Sequence, residues 1–376
     1  MNIGFVCHEI PPGPTGGIGI VTAELTRGLI ELGHCVHIAS VDNAAQKDSC
    51  EVVSPGLTIH RLARGQGRLR GYLSRLRIFL LIRKLAAERR IDIIEVPDFE
   101  GWNAGWGRLP VAVVVRLQGS VTYFASEMNA RPRPTMKFLE RMALRRADHV
   151  ISVSRYTADR TAAVFGLSLS PTIIYNSVIL PDKARAKNDY GSGDLVCYSG
   201  TLVQKKGVFS LARAWRLIKQ RRPNARLIMI GRDGRHGARS SVEVIRELAG
   251  SDADSIDIVG HKAKADVEAL LSTADVAVYP SYSEAFALAP MESMALGVPT
   301  IYSTRASGPE LMRHGVDGWL CDPDNTEQLA DQVATLLENE SLRHRLGQAG
   351  QLRIREAFSY DTFLQNNMAV YQRCIK

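Results

Sequence analysis

No apolar run in these 376 residues reaches the ~20 residues that a membrane-spanning helix requires. The opening stretch, "MNIGFVCHEIPPG", lacks the basic-then-apolar layout of a secretory leader and reads directly as a strand. The six cysteines, Cys7, Cys35, Cys50, Cys197, Cys321 and Cys374, form no C-x-x-C pair, and several fall inside apolar runs. That pattern argues against a disulfide frame or a zinc site and predicts reduced, buried thiols in the cytoplasm. No tandem repeat of solenoid length is present. Nor is there a nucleic-acid recognition motif or an aromatic stacking platform, so nucleic acid is not an expected partner.

The residues that are present describe a globular α/β chain. Hydrophobic content is 45% and charged content 23%, and the length fits two domains of roughly 180 residues. Short β-branched runs alternate with amphipathic ones. "NIGFVC" (2–7), "CVHIAS" (35–40), "IDIIEV" (91–96), "VAVVVRL" (111–117), "HVISVS" (149–154) and "PTIIYN" (171–176) read as strands. They scarcely alternate with polar residues, so both faces are expected to be buried, as in parallel sheets covered by helices. "PDKARAKNDYGSGD" (181–194) is polar and aperiodic and reads as a linker. The alternation then restarts with "LVCYSG", "ARLIMIG", "SIDIVG", "DVAVYPS" and "VPTIYS", which predicts two Rossmann-like domains facing each other across a cleft.

Charge is uneven. The formal net charge is +8, and residues 1–182 hold 22 Lys+Arg against 16 Asp+Glu. Residues 64–90 carry nine basic side chains and one acid, interleaved with Leu73, Leu76, Phe79, Leu80 and Leu81, and 131–148 is similarly basic. Two readings stand: helices lying on anionic lipid, or sheet-packed helices with solvated arginines.

Three stretches could carry chemistry. "PPGPTGGIG" (11–19) opens the first helix, where glycines let a ligand approach the backbone and free N–H groups favour an anion. A plain strand–helix turn is the alternative. "YSGTLVQKKGV" (198–208) places Lys205 and Lys206 at a helix start; a cation there opposes the dipole unless an anion is bound, or else the pair is simply solvated. "SEAFALAPMESMALGVPT" (283–300) sets Glu284 and Glu292 eight positions apart around an uncharged strand end and helix start. Amides for a diphosphate and two carboxylates for sugar hydroxyls suit a nucleotide sugar; a loop charge and a capping residue are the alternative. Asp252-x-Asp254 and Asp322-x-Asp324 have the form of a metal-binding D-x-D, but both sit in turn-like sequence and read as surface loops.

Taken in order, these stretches resemble the family 4 glycosyltransferases, retaining enzymes of GT-B fold, over essentially the whole chain. "EAFALAPME" matches the family's E-x7-E signature, "SGTLVQKKGV" its lysine–glycine element and "GGIG" its N-terminal glycine loop. "LGVPTI", "GPELMRHGVDGWL" and "FSYDTF…VYQR" match the stretches that follow. The resemblance implies an acceptor-side domain at 1–182, a linker at 183–194, a donor-side domain at 195–358, and a closing helix, 359–376, packing back on the first domain. It also implies transfer of a hexose, with retention, from a nucleoside-diphosphate sugar to a hydroxyl of a glycan or lipid-linked glycan. Neither a metal nor another cofactor is expected.

By the same resemblance, Lys206 neutralises the diphosphate, Glu292 holds the ribose and Glu284 contacts the transferred sugar. Gly16, Gly17 and the backbone of Phe286, Ala287 and Leu288 face phosphate and sugar, while Gly231, Arg232 and His261 lie near base and ribose. Three positions depart from the pattern. Thr201 replaces an arginine, with Lys205 as a compensating charge; Gln118 replaces a histidine of the sugar site; Ala287 replaces a glycine, and its methyl disfavours positive φ. Asp98 and Glu100, after a first-domain strand, are candidate acceptor contacts or a structural loop. A sugar-nucleotide epimerase of the same shape and a non-catalytic nucleotide-sugar binding protein are the competing functions.

Overall fold

Runs of valine and isoleucine without polar alternation become parallel strands covered on both faces. A computed structural model describes residues 1–10, 16–42, 47–64, 70–180 and 194–375. Its contacts divide the chain into two units, Met1–Tyr175 with Asp361–Lys376, and Asn176–Tyr360. The expected linker, 183–194, lies outside the described residues except for Asp194.

The first unit holds β1 (Asn2–Val6), β2 (Cys35–Asp42), β3 (Ser49–Ser54), β4 (Leu57–Ala63), β5 (Ile93–Pro97), β6 (Ala112–Leu117), β7 (His149–Ser152) and β8 (Thr172–Ile173). They form one sheet in the order β3-β4-β2-β1-β5-β6-β7-β8. All pairs are parallel except β3 with β4. The β3–β4 hairpin was not among the expected strands. Its signal is Pro55-Gly56 between two alternating runs, with Gly56 at φ +90°. The helix Arg70–Ala87 packs Ile78, Ile82, Leu85 and Ala86 on Val96, Trp102 and Trp106. Its opposite face exposes Tyr72, Leu73, Leu76 and Leu80.

The last helix, Tyr360–Cys374, lies in this unit from Asp361 onward and is tied to its sheet by a buried network. Arg116 on β6 makes two bonds, 2.7 and 2.8 Å, to Glu95 on β5. Arg116 also donates to Asn367, and Tyr371 donates to Glu95 at 2.7 Å. Removing one partner of such a buried pair costs about 3–5 kcal/mol, because the other charge is left unmatched.

The second unit holds β9 (Leu195–Ser199), β10 (Arg226–Ile230), the short hairpin β11 (Arg235–His236) and β12 (Arg239–Ser240), β13 (Ile256–Gly260), β14 (Val276–Val278), β15 (Thr300–Ser303) and β16 (Trp319–Cys321). Six of them form a parallel sheet, β13-β10-β9-β14-β15-β16. Strand order reverses direction between β1 and β5 in the first sheet and between β9 and β14 in the second. At such a switch point the connections leave in opposite directions and open a crevice at the strands' carboxyl ends.

The cysteine expectation needs correction. Cys7, Cys197 and Cys321 are buried, but Cys35 and Cys50 are exposed. Cys35 opens β2 before its neighbours cover it, and Cys50 lies on the edge strand β3. Among the described residues no helix is long and apolar enough to cross a membrane.

Candidate functional site

The second unit's switch point gathers most of the candidate residues. After β9 the chain turns at Gly200, and a short turn, Gln204–Lys206, leads into the helix Val208–Arg221. Gly207 sits at φ +72°, and a Cβ there would lie 1.8 Å from the carbonyl oxygen of Pro280. Only glycine lets the two backbones come this close. The Lys205 carbonyl then accepts from the amides of Tyr282 at 2.8 Å and Ser283 at 3.3 Å. The loops after β9 and β14 are thereby locked together, and their side chains meet: Lys206 Nζ lies 2.7 Å from Glu284 Oε1.

Neighbouring loops join in sequence across the sheet. A Cβ at Gly231 would stand 1.9 Å from the Gly200 carbonyl oxygen, so the loops after β9 and β10 also touch. The Gly231 amide donates to Gly260 at 2.9 Å, which brings in the loop after β13 and the exposed His261. Thr201 and Arg232 are exposed along this row, and the Arg232 carbonyl accepts from Leu202. Glu292 lies one turn into the helix Leu288–Ala295, half-buried.

That helix begins at Ala287 without a side-chain cap. The first amides of a helix have no intrahelical acceptor, and Pro290 has no N–H, so Leu288 and Ala289 supply the outward donors. Ala287 is at φ −74°, ψ 133°. The methyl that replaces glycine therefore meets no positive-φ requirement, and the expected difficulty at this position does not arise. Phe286 is fixed on both sides: its carbonyl accepts from Asn176 at 3.0 Å and its ring packs on Phe358.

Two buried tyrosines that sequence reasoning missed lie under this row. Tyr279 on the β14 side bonds Ser199 at 3.0 Å and Ser293 at 2.6 Å, linking the end of β9 to the helix of Glu292. Tyr198 donates to the Thr201 carbonyl at 3.2 Å. Burial raises both phenols' pKa, with the charge of Glu284 acting further on Tyr198 and that of Glu292 on Tyr279. Both hydroxyls therefore stay protonated. The signal in the sequence was polar tips at the ends of otherwise apolar strands.

The first unit's switch point has a different character. The helix Gly17–Glu31 starts at Gly16, whose amide donates to the Glu9 carboxylate at 2.9 Å. Gly17 has open space where a Cβ would stand; residues 11–15 of the glycine loop lie outside the described residues. His8 stacks on Phe99, ring centroids 5.5 Å apart. Asp98, after β5, is only 1% exposed and accepts from the Gln118 amide at 3.0 Å. Burial, joined by the negative charge of Glu140, pushes its carboxyl up to about 7.

Glu140, which the sequence did not flag, is fully buried. It accepts from the amides of Glu100 at 3.1 Å, Val121 at 2.9 Å and Thr122 at 3.0 Å. It thereby clasps the loops after β5 and β6 and holds Glu100 at φ +59°. Asp98 thus braces the loop after β6 through the Gln118 amide, while Glu100 is held through its backbone, with Gln118 half-buried. Asp322 and Asp324 face Arg305, the first at 2.9 Å, and the Tyr282 hydroxyl donates to Asp324 at 2.8 Å. Among the described residues no group of three or more His, Cys, Asp or Glu side chains is placed to hold a metal ion.

Comparison with known proteins agrees with this layout. The family described as Glycosyltransferase Family 4 matches residues 15–180, and that described as Glycosyl transferases group 1 matches residues 181–353. The chain is 24% identical to N-acetyl-alpha-D-glucosaminyl L-malate synthase of Bacillus anthracis, covering 99% of this chain and 96% of that protein. Its fold is similar to sucrose-phosphate synthase of Thermosynechococcus elongatus, with a TM-score of 0.82, 20% identity and coverage of 99% and 98%. It is also similar to Anabaena HepE solved with UDP and glucose, with a TM-score of 0.76, 18% identity and 99% of each chain covered.

Proposed function

From the premise that this chain belongs to the family 4 glycosyltransferases, of GT-B fold, we propose that its second unit binds a nucleoside-diphosphate sugar and yields the sugar to an acceptor hydroxyl. The observation that carries this reading is the meeting of Lys206 and Glu284 beside an uncapped helix start at a topological switch point.

Lys206 and the amides of Leu288 and Ala289 stabilise the charge that develops on the departing diphosphate. Glu292 accepts from the ribose hydroxyls and Glu284 from hydroxyls of the transferred sugar. Gly231, Arg232 and His261 flank the base and ribose, and Lys205 supplements the charge lost at Thr201. The acceptor oxygen bonds the anomeric carbon on the face from which the phosphate oxygen leaves. That leaving oxygen takes the acceptor's proton, so configuration is retained. These groups neutralise the diphosphate without a metal or other cofactor.

The first unit serves the acceptor, a glycan or lipid-linked glycan, and offers Gly16, Gly17 and Gln118 at its own crevice. Asp98 acts there through the loop it holds, and Glu100 is a candidate contact of the acceptor. The solvent faces of Arg70–Ala87 and Pro134–Arg145 carry exposed Tyr72, Leu73, Leu76, Leu80 and Phe138 among arginines. Their chemistry suits an anionic lipid surface, and vesicles with phosphatidylglycerol should sediment the protein while neutral vesicles leave it in solution.

HepE's structure holds UDP and glucose, which makes uridine nucleotides the first to try. Thermal melts with UDP, GDP and ADP and their sugars identify the donor. Release of the nucleoside diphosphate on adding glycans then identifies transfer. A melt unmoved by every nucleotide removes this reading.

A further inference from the structure

Lys206 already has a counter-ion. Its ammonium is 2.7 Å from Glu284, the lysine side chain one-quarter exposed and the glutamate 12%. The backbones that carry the two are fixed by the Lys205 carbonyl bonds and the Gly207–Pro280 contact. The two side chains thus meet from backbones that are tied to each other.

A diphosphate that engages Lys206 must share it with Glu284 or displace the carboxylate, and it places like charges close together in a partly desolvated site. A nucleotide sugar offsets that repulsion, because its sugar hydroxyls can donate to the freed carboxylate. A bare nucleoside diphosphate offers no such donors and carries additional negative charge where the sugar was attached.

Resting on the donor reading above, we propose that Glu284 is a selectivity residue. It serves as the resident counter-ion of Lys206 in the empty site and weakens binding of the nucleoside diphosphate relative to the nucleotide sugar. Once the sugar has been transferred, Glu284 reclaims Lys206 and favours release of the product.

The test is calorimetric titration of the full chain with UDP, GDP and ADP and with UDP-glucose, GDP-mannose and ADP-glucose. Wild type, Glu284→Gln, Lys206→Ala and the double variant are compared. Gln keeps the shape of Glu, and a thermal melt of each variant verifies folding. Glu284→Gln should bind the favoured nucleoside diphosphate about fivefold tighter, the ratio that ~1 kcal/mol gives, and its sugar ester no tighter. Lys206→Ala should weaken both, and on that background Glu284→Gln should bring a smaller gain, because the competition for the lysine is gone and only the direct repulsion between carboxylate and diphosphate is left to relieve. If Glu284→Gln leaves the diphosphate's affinity unchanged or lowers it while Lys206→Ala weakens binding, the selectivity role is wrong and the donor site stands. If wild type binds none of the six ligands, both fall.

Discussion

The two switch points have the same topology and treat their carboxylates in opposite ways. In the first unit the acids are engaged by the protein's own backbone: Glu9 by Gly16, Asp98 by Gln118, and Glu140 by three amides of two loops. In the second, Glu284 faces a lysine, and the helix start beside it has no side-chain cap. The contrast shows how one architecture can be closed or left receptive. Backbone amides satisfied from within hold loops in place, whereas amides left at a helix start await an anion.

The largest expected effect breaks the closed side. Glu140→Ala strands three amides away from water and should destabilise the first unit by about 3 kcal/mol or more, read from the urea midpoint. A midpoint within error of wild type would mean that the clasp does not hold the loops.

An intermediate effect is expected from Asp98. Its folded-state pKa is raised to about 7 by burial and then by Glu140. In the unfolded chain the carboxyl ionises near 4. Its contribution to stability is therefore fully present below about pH 4 and is lost as pH rises through 7. Asp98→Asn keeps an acceptor for the Gln118 amide without ionising. It should match wild type near pH 4 and exceed it at pH 8 in chemical denaturation; equal stability at both pH values would contradict the charging of a buried group.

The smallest effect sharpens the open side. Arg305 pairs with Asp322 and Asp324 and lies over Tyr282, but these side chains are two-fifths exposed or more. Arg305→Ala should therefore cost under about 1 kcal/mol and leave nucleotide affinity within about twofold. A larger loss of affinity would show that this surface pair positions the Glu284 loop.

Much of this is legible in the sequence. The β-branched runs specify buried parallel strands because no polar alternation permits a wet face, and "EAFALAPME" places two acids around a helix start. Lys206 and Glu284 were each identifiable as candidates, but not their ion pair, since that depends on Gly207 admitting Pro280 across 73 positions of sequence. Glu140 was invisible for a similar reason: "KFLERMALRR" reads as a solvated helix face, and only tertiary packing turns that glutamate inward. The β3–β4 hairpin is signalled only by Pro55-Gly56, since β3 is exposed along nearly its whole length and carries no buried apolar run to mark it as a strand.

The most direct test is the crystal structure of the protein with an intact, slowly turned-over nucleotide sugar. The account predicts the diphosphate on Lys206 and the amides of Leu288 and Ala289, the ribose on Glu292, and Glu284 turned from the lysine toward the sugar. A nucleotide bound elsewhere, or one bound with Lys206 and Glu284 still paired and those amides unengaged, would contradict it.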